Sequence, residues 1–502
     1  VAKKIMMGSG STVALPSDDQ FNRVSFLSHF DGANNGVNNA FDDASASNHT
    51  ITASGNVTQG SFNPYGTNWA VDFSIGTNPR LSSAASSDFT LGTGDFTIEF
   101  FVFFNTIAGV QKAVVQDIRA GQTGFTVATG DGTGKFTFGG VLSETTSDAV
   151  ANKWYHIAIT RKQGVFRIFR NGVQTDTDTS SVNFGSSAKL VYGGSDNLPI
   201  KGLMSNLRLV QGTSLYDSNF TVPTSPLTAV TNTKLLTLQS NRFVDNSASG
   251  HSVGPNTGLE AVTAFGPFLT SAVYDAAVNG ASAYFDGSGD FLRVSDTASL
   301  RIGTAQYTIE CWFWFDVLTS SNSGIFAKRD DASNYWRILA TSSGVNFRVN
   351  SDIVSNSTAV NKHCWNHIAI TRDSSNNNRI YVNGVLTQTI SSSVNISTTG
   401  TVRLGEFQAN SGPMTGYICD ARIVIGTAVY TGSSLTPPTA PLTAVTNTKL
   451  LLNMANGQAI DSAAQNNLTL YGNAKISTGQ AKFGDTSMVF DGTGDYVTLP
   501  SS

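Results

Sequence analysis

Short apolar runs, broken by Gly, Ser, Asn or Asp about every ten residues, fill the chain, and no long amphipathic helical period interrupts them. Ile98 to Phe104 (IEFFVFF) and Ile309 to Phe315 (IECWFWF) are apolar at nearly every position. Their length and aromatic content predict strands covered on both faces rather than helices. The runs 165–170 and 379–382 each lead into an Asn-Gly pair, Asn171-Gly172 and Asn383-Gly384. That dipeptide predicts a tight hairpin, because both central turn positions require φ > 0. The pattern as a whole predicts an all-β chain of sandwich or jelly-roll type.

The pattern also repeats. Trp154-Tyr155-His156-Ile157-Ala158-Ile159-Thr160-Arg161 returns as Trp365-Asn366-His367-Ile368-Ala369-Ile370-Thr371-Arg372, and Thr97-Ile98-Glu99 returns as Thr308-Ile309-Glu310 at the same offset of 211. Pro223 to Leu236 returns almost letter for letter from Pro438 to Leu451. A period of roughly 210 residues is too long for a solenoid unit, so each repeat is read as a whole domain. The reading is an amino-terminal arm (1–19), one sandwich over 20–229, a second over 230–444, and the start of a third over 445–502. Phe490-Asp491-Gly492-Thr493-Gly494-Asp495 in that last span matches Phe285-Asp286-Gly287-Ser288-Gly289-Asp290. The third copy breaks off early, which predicts that the polypeptide continues or that another chain completes it.

Composition narrows the function. Only 13% of the 502 residues are charged, against a usual quarter, so the surface is carried by hydroxyls and amides, as in particle-bound or extracellular β proteins. A net charge of −4 gives no basic field for nucleic acid, and no run is long and apolar enough to span a membrane. Lys3-Lys4 followed by Ile5-Met6-Met7 is too short an apolar run for a secretory signal. The cysteines Cys311, Cys364 and Cys419 are odd in number, and Phe100, Lys153 and Ser205 stand in their places in the first copy. They are expected to be free, buried thiols.

The ordered set Phe-Asp-Gly-x-Gly-Asp (285–290), Tyr-Thr-Ile-Glu-Cys-Trp-Phe (307–313), Trp-x-His-Ile-Ala-Ile-Thr-Arg (365–372) and a closing strand, Gly202 to Arg208 or Gly416 to Arg422, resembles the laminin-G-like, concanavalin A-like domain. The resemblance covers 20–443 and the start of a further copy, and it implies tandem concanavalin A-like jelly-roll sandwiches. Phe21 to Gly32 and the Pro-Leu-Thr-Ala-Val-Thr-Asn-Thr-Lys-Leu-Leu linkers are similar to structural proteins of bacteriophages, especially marine ones. That likeness implies a tail-fibre, appendage or capsid-decoration protein in the virion, able to contact host surface glycans.

Candidate chemistry is sparse. A sandwich glycosidase needs two carboxylates at a fixed separation, yet none of the five glutamates (Glu99, Glu144, Glu260, Glu310 and Glu406) has another acid at strand spacing. No zinc-binding His pair, nucleophile elbow or phosphate loop is visible either. Glu99 and Glu310 are expected to be structural carboxylates bonded within the sheet, and His156 and His367 satisfied core histidines. Trp154 and Trp365 are read as packing residues, with sugar stacking as the lesser reading. For Ca²⁺, the candidate ligands are Asp286 with Asp290, Asp491 with Asp495, and Asp31 with Asp42 and Asp43. Against calcium, Asp and Gly in such loops also serve the turn itself. The later counterparts of the Asp43 region keep single acids, Asp245 and Asp461.

These readings predict a non-enzymatic virion protein, without a required cofactor, docked to other virion proteins through the arm. It is expected to be a homo-oligomer that adheres to host glycans without binding nucleic acid or entering a membrane. A secreted or surface-displayed bacterial lectin-like adhesin is the alternative, and a hydrolase with these domains as accessory carbohydrate-binding modules is a third.

Overall fold

The structure, a computed structural model, describes residues 38–498 apart from 42, 44–45, 56, 61, 63–64, 75–77, 108–111, 120–121, 130–133, 146–148, 186–188, 195–197, 256–260, 265–275, 320, 409–410, 455–468, 472–473 and 478–486. Helix among these residues is confined to single turns, and the fold is all-β. The chain divides into two compact units, whose cuts fall between Gly66 and Thr67 and between Thr270 and Ser271.

Each unit contains one sandwich of an eight-stranded and a seven-stranded antiparallel sheet, with the same strand order in both. At the centre of the first sandwich, Phe96–Phe104 lies between Trp154–Lys162 and Gly202–Gln211. In the second, Tyr307–Val317 lies between Asn366–Arg372 and Thr415–Ile425. Tyr307, Ile309, Cys311, Phe313 and Phe315 alternate into the core between the sheets, against Phe326, Trp336, Ile338 and Phe347. The intervening Thr308, Glu310, Trp312 and Trp314 face the other way, and they too are buried. This is why the run is apolar on both faces. The three cysteines are free and buried, as their absence from the first copy suggests.

The Asn-Gly turns form as the sequence dictates. Asn171 and Asn383 adopt φ of 50° and 53°, and their Oδ1 atoms accept from the backbone N–H of His156 and His367, each at 2.9 Å. A Cβ at Gly172 would stand 2.0 Å from the Phe220 carbonyl oxygen, so the following segment requires glycine there.

The outer face of each large sheet is covered by the segment that sequence reading took for an inter-domain linker. Leu227 N donates to Asn206 Oδ1 at 2.8 Å, and Thr233–Thr237 joins the sheet beside Gly202–Gln211. In the second sandwich Leu442 N donates to Asp420 Oδ2 at 3.2 Å, and Thr448–Leu452 pairs with Thr415–Ile425. These segments are part of the sandwich, because buried polar groups on the sheet need their backbone partners.

Two further strands close each sandwich, and they shift the compact units away from the repeat boundaries. Val253–Pro255 and Ala261–Thr263 pair with Leu81–Ser83 and Ala70–Asp72 in the first sandwich. In the second, the closing strands come from the amino-terminal side: Ile51–Ser54 on Phe291–Val294 and Thr58–Gly60 on Ser282–Asp286. In the last span, Thr469–Tyr471 pairs with Tyr496–Thr498, and Lys475–Ser477 with Ser487–Val489.

Candidate functional site: a rim cleft and two buried carboxylate clusters

The strand residues singled out by the repeat converge on the covered outer face of each large sheet. In the first sandwich Arg208 grips Glu99 Oε1 with Nε at 2.9 Å and Nη2 at 2.6 Å, while Tyr216 Oη donates to Oε2 at 2.9 Å. His156 Nε2 completes the set, 3.2 Å from Oε2. The second sandwich repeats it with Arg422 at 2.9 and 2.6 Å from Glu310 Oε1 and Tyr430 at 2.9 Å from Oε2. There His367 Nε2 stands 3.4 Å from the carboxylate, an ion-pair rather than a hydrogen-bond contact. Burial opposes ionisation of both glutamates, but the histidine and arginine beside each outweigh it and hold the carboxyl below the usual range. Glu99 and Glu310 have no exposure, so these clusters hold the sheet to its cover and do not meet a ligand.

The remaining described glutamates are engaged in the same manner. Glu144 accepts from Phe136 N at 2.8 Å and Thr175 Oγ1 at 2.6 Å and pairs with Arg170, while Glu406 pairs with Arg403. Glu260 lies outside the described residues. Trp154 and Trp365 are buried: Trp154 packs with Phe101, Phe103 and Leu203, and Trp365 has no exposed surface.

Of the calcium candidates, Asp31 and Asp42 lie outside the described residues. The two Asp-Gly loops are built alike. Asp290 Oδ2 accepts from Asp286 N at 2.9 Å and Asp286 Oδ1 from Ser288 N at 2.7 Å; Asp495 Oδ2 accepts from Asp491 N and Asp491 Oδ1 from Thr493 N, both at 2.7 Å. The carboxylates therefore brace their own turns. Asp43, read with that cluster, accepts from His49 N at 2.9 Å and from Leu451 N at 3.0 Å, so it ties the closing segment to the sheet. Among the described residues no group of three or more His, Cys, Asp or Glu side chains converges as a metal shell would.

What sequence reasoning missed is a cleft of about 400 Å³ on the rim of the second sandwich. The loop after Tyr307–Val317 and the loop before Thr415–Ile425 form its walls, and Gly287 of the Asp-Gly turn forms its end. Val317 is exposed and Phe407 supplies an apolar wall, its ring 5.2 Å from the Arg337 guanidinium. Thr319, Ser321, Asn322, Ser323, Ser411 and Thr415 contribute hydroxyls and an amide. The loops are fixed from below: Gly324 N donates to Gly412 O at 2.8 Å, and a Cβ at Gly412 would meet the Phe407 ring at 2.3 Å. Asn322 and Ser411 stand in loops that differ between the copies, so the repeat could not mark them. The corresponding loops of the first sandwich, 108–111 and 195–197, lie outside the described residues.

Comparison with known proteins places the fold. No curated protein matches the chain. Among solved structures it is similar to domains LG4-5 of the mouse laminin α1 chain (12% identity, covering 75% of this chain and 96% of that one, TM-score 0.25). It is also similar to domain 4 of a GH43 extracellular arabinanase from Geobacillus stearothermophilus, solved with arabinotriose (20% identity, 34% and 81% coverage, TM-score 0.25). A third is the heptameric SAP-like pentraxin of Limulus polyphemus (13% identity, 30% and 78% coverage, TM-score 0.25). A family model matches residues 76–214 and again 272–427, more than half of the chain, and the chain accordingly belongs to the Laminin_G_3 family of the concanavalin A-like lectin/glucanases superfamily.

Proposed function

We propose that the chain is a non-catalytic adhesion protein whose second sandwich takes a saccharide in the rim cleft between residues 317–323 and 407–415. The carrying observation is the lining of that cleft: apolar walls from Val317 and the largely buried Phe407 ring, six hydroxyl or amide side chains and no carboxylate among them. Apolar C–H faces and a dense set of hydroxyls are what a sugar presents, and a concave site with few oriented polar groups suits it. Catalysis finds little support, because hydrolysis needs a pair of carboxylates facing the substrate, and Glu99, Glu144, Glu310 and Glu406 are each held by an arginine.

We place this adhesion on a virus particle, as an appendage or decoration protein, on the strength of the sequence likeness to bacteriophage structural proteins. Mass spectrometry of purified virions tests the location, and absence from particles would overturn it. A glycan array, run with and without EDTA, tests the ligand and calcium together; no signal in either condition would sink the saccharide reading. The expected hit weakens in Asn322→Ala by about five-fold, the loss of one hydrogen bond worth ~1 kcal/mol.

A further inference from the structure

The two closing strands of a sandwich are the leading strands of a repeat, and the chain docks them in three different connectivities. Ile51–Ser54 and Thr58–Gly60 lead the first copy but close the second sandwich. Val253–Pro255 and Ala261–Thr263 lead the second copy but close the first sandwich. Thr469–Tyr471 and Lys475–Ser477 lead the third copy and pair within it.

The register is the same each time. Thr52 faces Arg293, Gly254 faces Ser82 and Thr469 faces Thr498, three equivalent pairs by repeat alignment. Thr58 faces Tyr284, Ala261 faces Asp72 and Lys475 faces Val489, again equivalent. The anchoring aspartate is equivalent too. Asp245 accepts from His251 N at 2.8 Å and Leu236 N at 2.9 Å, as Asp43 does from His49 N and Leu451 N. Recognition between segment and sandwich therefore does not depend on which covalent link joins them.

Two side chains fit this segment to the second sandwich. Phe62 sits in a cage of Trp314, Trp365 and Tyr417, with ring centroids 4.8, 5.2 and 5.0 Å away. Tyr65 donates to Asp420, whose counterpart in the first copy is Asn206. Only residues 66–69 lie between Tyr65 and the strand that begins at Ala70 in the other compact unit.

We propose that the strands Ile51–Ser54 and Thr58–Gly60, with Phe62 and Tyr65, are an exchangeable closing element that completes the second sandwich of another copy of this chain as well as its own. Copies are joined by antiparallel strand addition, with Phe62 and Tyr65 as anchors. The dimer that results is concentration-dependent at the time of folding and slow to dissociate afterwards.

Thr52 and Arg293 are both exposed and directly paired, which makes them the probe. Full-length Thr52→Cys and Arg293→Cys chains, carrying tags of different size, are unfolded together and refolded over a range of concentrations in a glutathione redox buffer. The expected result is a disulfide-linked heterodimer whose fraction rises with concentration, and a dimer of the unmodified chain in size-exclusion chromatography with light scattering. The double variant Thr52→Cys/Arg293→Cys controls for the pairing itself. Complete closure within monomers, with no heterodimer from the mixed chains, overturns the proposal. So does a failure of the double variant to close at all, and so does preferential coupling of a Thr469→Cys variant to position 293.

Discussion

Asp420 adopts φ of 50° on the strand Thr415–Ile425, and its carboxylate is fully enclosed. Burial dominates and raises its pKa to about 7, although hydrogen bonds from Tyr65 and Leu442 act in the other direction and Glu310 adds to the rise. The folded state therefore binds a proton that the unfolded chain releases near pH 4. The associated stability is complete below that pH and is lost as pH rises through about 7. The second sandwich is expected to melt at progressively lower temperature between about pH 4 and 7, and Asp420→Asn, which installs the residue of the first copy, is expected to flatten that slope in calorimetry. The buried arginines give a second test at this scale. Removal of Arg422 leaves the Glu310 carboxylate buried without its main partner, and Arg422→Ala is expected to cost about 3–5 kcal/mol in denaturant unfolding. His156, His367, Glu99 and Glu310 were legible as structural residues from their matched places in apolar strands. Their partners Arg208, Tyr216, Arg422 and Tyr430 were not, since they come from strands and covers more than a hundred residues away in sequence.

At the scale of elements, the strands were the most readable part. Phe96–Phe104 and Tyr307–Val317 follow from apolar runs, and the hairpins at 171–172 and 383–384 from Asn-Gly turns. The covers and closing strands escaped because their hydrophobic signal is short: Ile51–Ser54 and Thr58–Gly60 have only four and three residues. What fixes them is contact with a preformed sheet, above all Phe62 against three aromatic rings. Phe62→Ala removes a half-buried ring and is expected to cost about 2 kcal/mol. Hydrogen exchange is the check, with faster exchange across 51–60 and little change in 253–263.

The whole molecule consists of two compact units with the same sheet order, each with its own core, so calorimetry is expected to resolve two transitions. Arg208→Ala is expected to lower one and Arg422→Ala the other. Repetition also bears on adhesion. Weak saccharide sites, one in each chain, gain avidity through effective concentration when strand exchange joins copies, without any new contact. A chain held monomeric is accordingly expected to bind a glycan-coated surface more weakly than the exchanged dimer, although both have the same affinity for a soluble sugar in calorimetric titration.

The sequence by itself determined the all-β class, the repeated sandwich and the free, buried cysteines, because strand periodicity, turn chemistry and copy-to-copy comparison are local or internal signals. Tertiary structure alone decided which segment closes which sandwich, that the supposed linkers are covers, and where the rim cleft lies. The physical reason is shared. A closing strand of three or four residues carries too little pattern to name its partner, and identical copies offer it several equivalent sheets. Among the described residues, the packing of Phe62 and Tyr65 is what singles out the second sandwich.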